Sequence, residues 1–104
     1  MKKIREIASV VRSKNAGPFQ LTLDILFDRE TDYRAVKERG MITPAQIRSM
    51  YSLTPDEPVR IVYFDPALAV KIVLPRRTPA GNPGDTDVYG AQQHGPLLSL
   101  EFDL

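Results

Sequence analysis

Four stretches of the chain alternate apolar and polar side chains with a period of two. In Gln20–Phe27, Leu21, Leu23, Ile25 and Phe27 fall on one side and Gln20, Thr22 and Asp24 on the other. A strand turns successive side chains to opposite faces, so this pattern predicts a half-buried strand. Val59–Phe64 repeats it with Val59, Ile61 and Tyr63, and Ala69–Leu74 with Val70, Ile72 and Leu74. The chain ends on Leu98, Leu100, Phe102 and Leu104, separated by Ser99, Glu101 and Asp103, the most regular alternation of the four.

Between the first two of these segments the period changes. Thr31–Arg39 carries Tyr33 and Val36 at helical spacing, and Gly40 supplies a C-terminal stop. Thr43-Pro44-Ala45-Gln46 predicts a second helix start. Thr43 can cap, Pro44 suits the first helical position and Gln46 can close a capping box. Thr54-Pro55-Asp56-Glu57 looks similar, but Pro58 blocks continuation, which predicts a turn. Phe64–Leu68, with Asp65-Pro66, reads as a short turn between antiparallel neighbours. Ile4–Val11 fits both periods; Ile4, Ile7, Ala8 and Val11 favour helix, while its β-branched content suits a strand.

With a short helix placed in the polar segment before the last strand, the order becomes β-α-β-β-α-β. That predicts an α+β, ferredoxin-like sandwich: a four-stranded antiparallel sheet with helices on one face. Gln20, Thr22, Asp24, Arg60 and Lys71 would lie on the other face, exposed or covered by a partner.

The 104 residues form one domain, 1–104, with one modest core. A net charge of +1 gives no electrostatic case for nucleic acid or an anionic membrane. No apolar run approaches the roughly 20 residues that span a bilayer. Arg5 and Glu6 interrupt the N-terminus as a signal peptide. The absence of cysteine removes disulfides and thiolate metal sites, and a cytoplasmic location is the default expectation.

Two polar segments could carry chemistry. Pro79–Gly95 holds four of the six glycines and the single histidine. Long polar segments without obvious structure are uncommon in small domains and are often functional. His94 could serve as general acid or base with Asp87 beside it, while Asp85, Gln92 and Gln93 offer polar contacts to substrate. Plainer readings are helix capping by either aspartate and a solvated histidine. Asp85 and Asp87 alone do not specify a calcium loop, and one histidine without cysteine makes a poor zinc site. No metal or cofactor is therefore expected. The second segment, Arg12–Phe19, offers Arg12 and Lys14 to an anion, Ser13 and Asn15 as hydrogen-bonding groups, and Gly17 for a tight turn. Its plainer reading is a charged turn before Pro18. No Walker loop, Ser-His-Asp arrangement or dinucleotide loop is present.

Val11–Phe27, Phe64–Arg76 and Gly84–His94 (GDTDVYGAQQH) together resemble a small domain family of unknown function. Its members occur beside, or fused to, proteins similar to acyclic-terpene-utilisation protein A (AtuA-like). Arg12-Ser13-Lys14 is similar to the R-S-G-D-K-G motif of related C-terminal domains, with a shorter loop and no acidic residue before the lysine. The resemblance implies a ferredoxin-like fold and a small accessory subunit. That subunit would dock on a larger AtuA-like enzyme acting on organic acids or acyl-thioesters, and complete its anion-binding site. Two other readings stay open: a free-standing homo-oligomeric lyase or isomerase using His94 and Arg12, and a non-catalytic ligand-binding module. An open sheet with uncovered edges also predicts homo-oligomerisation.

Overall fold

The computed structural model describes residues 2–15, 19–75 and 95–104. Its centre is a four-stranded antiparallel sheet built from β2 (Ala8–Asn15), β3 (Gln20–Phe27), β4 (Arg60–Phe64) and β5 (Ala69–Pro75). Their spatial order is β2-β3-β5-β4. Two helices, α2 (Glu30–Glu38) and α3 (Pro44–Met50), connect β3 to β4. A four-residue helix, α1 (Ile4–Ile7), precedes β2. A two-stranded ribbon pairs β1 (Lys2–Lys3) with β6 (Glu101–Phe102).

Three strands lie where alternation predicted them, within one residue at each end. The local signals between them also behave as expected. Thr43 and Gln46 close a capping box, with Gln46 N–H donating to Thr43 Oγ1 at 3.2 Å and Thr43 N–H to Gln46 Oε1 at 2.9 Å. Gly40 follows α2 at φ +59°, a conformation that costs glycine nothing. Thr54–Glu57 makes a capped turn that Pro58 keeps from becoming a helix; Thr54 N–H donates to Glu57 Oε1 at 2.9 Å. A 3₁₀ turn over Asp65–Ala67 joins β4 to β5.

The two chain ends depart from the prediction, and together they change the topology. Ile4–Val11 is not one helix. The helical part stops at Ile7, and Ala8 begins a strand that pairs with β3 as far as Asn15. Ser9 is the extra residue of a bulge between Ala8 and Val10, and its hydroxyl donates to the Leu26 carbonyl at 3.2 Å. In a ferredoxin-like sandwich the last strand lies beside the first. Here β2 holds that position next to β3, so the strand order differs. Excluded from the sheet, Leu98–Leu104 splits into the end of a 3₁₀ turn (Gly95–Ser99) and the two residues of β6. Its apolar side chains still find the core: Leu100 and Phe102 are buried, as is Leu97 just before it. The fold class is thus α+β with an antiparallel four-stranded sheet, in a different strand order from that expected.

Odd-numbered β3 residues and even-numbered β5 residues face the helices. Leu21, Leu23, Ile25, Phe27, Val70, Ile72 and Leu74 join Ile4, Ile7, Tyr33, Val36, Ile47 and the C-terminal apolar residues in one core. All the described helices pack on this inner face, and no described element packs on the outer one.

Candidate functional site: the outer face of the sheet

The strand register arranges the outer face in rows across the four strands. Val10, Leu26, Ala69 and Phe64 form an apolar row. The next row reads Arg12, Asp24, Lys71, Val62, and the one after it Lys14, Thr22, Val73, Arg60. Gln20 and Pro75 lie beyond. Neighbouring strands are ~4.8 Å apart, so Lys14 and Arg60 stand about 14 Å from each other.

Arg12 donates from Nε to Asp24 Oδ2 at 3.1 Å. Lys71 is Asp24's neighbour on the opposite strand, so one carboxylate sits between two cations. Asp24 and Thr22 were expected to be exposed or covered by a partner; within the chain itself both are buried, at 8% and 2% exposure. Their register neighbours on the adjacent strands are Lys14 and Val73 for Thr22, and Arg12 and Lys71 for Asp24. Among the described residues no buried side-chain polar atom lacks a hydrogen bond. Arg60, Lys71 and Lys14 remain exposed.

Four cations and one carboxylate give this face a net charge of +3. The whole chain carries +1, so the rest of it is net acidic at −2. Uncharged apolar surface accompanies the cations: Val62 is 41% exposed and Phe64 57%. The near-neutral total conceals this segregation, because the sheet register, not the composition, decides which charges share a face.

Arg12, Ser13, Lys14 and Asn15 do not form the single anion-binding turn that their sequence suggested. They belong to β2, where alternation sends Arg12 and Lys14 outward and Ser13 inward, where it is buried. Asn15, half-buried, shares the inward register. Arg12 is already engaged by Asp24. Gly17, Asp85, Asp87, Gln92, Gln93 and His94 lie outside the described residues. β2 and β5 nevertheless finish at one end of the sheet: Asn15 pairs with Leu21, and Gln20 pairs with Pro75.

A second polar cluster was missed in the sequence, where Asp65-Pro66 read only as a turn. Asp65 Oδ1 accepts from Tyr33 Oη at 2.5 Å and from Lys37 Nζ at 2.8 Å. The Tyr33 ring is buried edge-on between Phe27 and Tyr63, with centroid separations of 5.9 and 6.2 Å. Burial, then the hydrogen bond to Asp65, push the Tyr33 phenol up to about 12. The Lys37 ammonium and then the Tyr33 hydroxyl hold Asp65 below the usual carboxylate range. A phenol that keeps its proton and a carboxylate that loses it make a structural clamp between α2 and the β4–β5 turn. Tyr33 and Lys37 are four residues apart on α2, a spacing that puts both on one helix face.

Among the described residues no helix is long and apolar enough to cross a membrane. None of the Asp, Glu or His side chains described cluster in a way that could hold a metal ion. Comparison with proteins of described function finds no match, and none is found among solved structures. A family model does match, across residues 4–101 and so through every strand of the central sheet, and the chain belongs to the family described as "Domain of unknown function (DUF4387)".

Proposed function

We propose that the protein is a small accessory subunit that docks on a larger protein through the outer face of its sheet. The observation carrying this reading is the outer face itself, where +3 of charge and exposed Val62 and Phe64 sit on a surface that no described element covers. Apolar area supplies the driving force for such association, and complementary charge sets orientation and encounter rate. The partner surface would be acidic, with an apolar strip opposite the row from Val10 to Phe64. Nucleic acid is disfavoured. Asp24 occupies the middle of the face, and the outward-facing positions of the two central strands carry no aromatic side chain for a base to stack on. Face-to-face self-association would set like charge against like charge, so oligomerisation of this chain is better served by its free edge strands, β2 and β4.

The resemblance to AtuA-associated domains supports a larger catabolic enzyme as the partner. Lys14, at the end of the sheet where β2 and β5 finish, would contribute a cation to that enzyme's anion-binding site. A free-standing lyase or isomerase is less well supported, because the Arg12 it would use as an anchor is paired with Asp24.

Site-specific photo-crosslinking in the native host tests the reading. A benzoylphenylalanine at position 64 should give one defined adduct with a larger protein. The same probe at Glu38, on α2 away from the sheet, should give none. Adducts of equal yield from both positions, or from position 38 alone, would refute docking through the sheet.

A further inference from the structure

The end of the outer face opposite its apolar row opens into a groove of about 390 Å³, and we infer that this groove binds a small amphipathic monoanion, a carboxylate on a short apolar body. The volume falls within the ~300–1,000 Å³ typical of small-molecule sites. Val73 and Pro75 of β5 form its floor; Phe19 and Gln20 stand on one side, and Pro58 and Arg60 on the other.

The chemistry of these walls selects the ligand. Among the described residues Arg60 is the one charged residue lining the groove, and no acidic side chain lines it. Among the described residues Arg60 has no carboxylate partner, unlike Arg12, which is held by Asp24. A guanidinium presents a planar fork that fits a carboxylate bidentately. One such cation balances one negative charge, and Lys14, three strands away, does not line the groove. The remaining walls are mostly apolar, and Phe19 is 64% exposed, so a ligand body laid against it removes apolar surface from water. Gln20 supplies a neutral amide for a second polar contact. From β4 across to β3 the groove is two strand spacings wide, about 10 Å, which suits a short chain or ring rather than a peptide.

This site lies about 13–20 Å along β5 from the apolar row at Phe64. The inference is separate from docking and can be tested on the isolated full-length protein, so either can fail without the other. Hexanoate, hexan-1-ol and hexylamine would be titrated while amide-proton NMR shifts are followed. Hexanoate should saturate and move the signals of Phe19, Gln20, Arg60 and Val73, with hexan-1-ol bound about tenfold more weakly and hexylamine not at all. Arg60→Gln should weaken hexanoate about tenfold and leave hexan-1-ol unchanged. Phe19→Ala, at an exposed position, should weaken both probes. Equal affinity for hexanoate and hexan-1-ol, a wild-type response in Arg60→Gln, or no saturable shift at these residues would each overturn the assignment.

Discussion

The two faces of one sheet are built from alternate residues of the same strands, yet they obey different rules. On the inner face Leu23, Ile25, Val70 and Ile72 are wholly buried beneath helices. Their identities are set by volume and by exclusion from water. On the outer face the neighbours of those residues are Asp24, Lys71 and Val73, arranged so that charge is partly compensated and apolar area is left over. The inner face accounts for the existence of the fold. The outer face is more elaborate than folding requires, and for that reason carries the functional proposal.

The sharpest way to break this comparison is to truncate adjacent residues of β5. Ile72→Ala should cost about 2–5 kcal/mol in urea unfolding, through lost burial and the cavity left behind. Lys71→Ala, one residue away on the outer face, should stay within ~0.5 kcal/mol. Similar losses from both would mean that the outer face is packed in the isolated protein.

A smaller effect is expected at the one place where the outer face is itself buried. Asp24→Asn should cost about 1 kcal/mol, because it leaves Arg12 and Lys71 without the counter-charge between them. Arg12→Gln should cost less, since its partner keeps Lys71 beside it. A double-mutant cycle between the two should give a coupling of roughly 0.2–1 kcal/mol, the range for a pair with one solvent-exposed member. Zero coupling would reduce the pair to a surface contact.

A further effect concerns the inner face, and its pH dependence shows in alkali. Tyr33 titrates at about 12 in the folded chain and near its ordinary value of 10 when unfolded. Between these values the unfolded state has lost a proton that the folded state keeps, so stability falls as pH rises through that window. Tyr33→Phe should unfold with a shallower decline from pH 10 to 12, while Tyr51 and Tyr63, also raised by burial, sustain the rest. At neutral pH the same variant should lose about 0.5–1.5 kcal/mol for the missing hydrogen bond to Asp65. An unchanged alkaline slope would remove Tyr33 from this account.

What the chain revealed in advance was local. Period-two alternation located β3, β4 and β5. Thr43, Pro44 and Gln46 marked the start of α3, and Gly40 the end of α2. Each of these features depends on residues a few positions apart, whose steric and hydrogen-bonding preferences act before any tertiary contact forms. The alternation also assigned Gln20, Thr22, Asp24, Arg60 and Lys71 to a common face. Thr22 and Asp24 are buried there, which alternation within one strand does not reveal.

The candidate site was less legible for the same reason. Arg12-Ser13-Lys14-Asn15 looked like one cluster because the residues are consecutive, and pairing with β3 then divided them between two faces. Asp65 became the partner of Tyr33 and Lys37 only when α2 packed beside the β4–β5 turn, across about thirty residues of chain. The competition for the strand position beside β3 was likewise undecidable from either contender alone. Leu98–Leu104 alternates more regularly than Ala8–Asn15, yet only four residues of chain separate β2 from β3, so bringing the two together costs little entropy. By itself the sequence determined which segments become strands and helices and which side of each is apolar. The tertiary structure decided which strand sits beside which, and through that register, which charges meet on the open face.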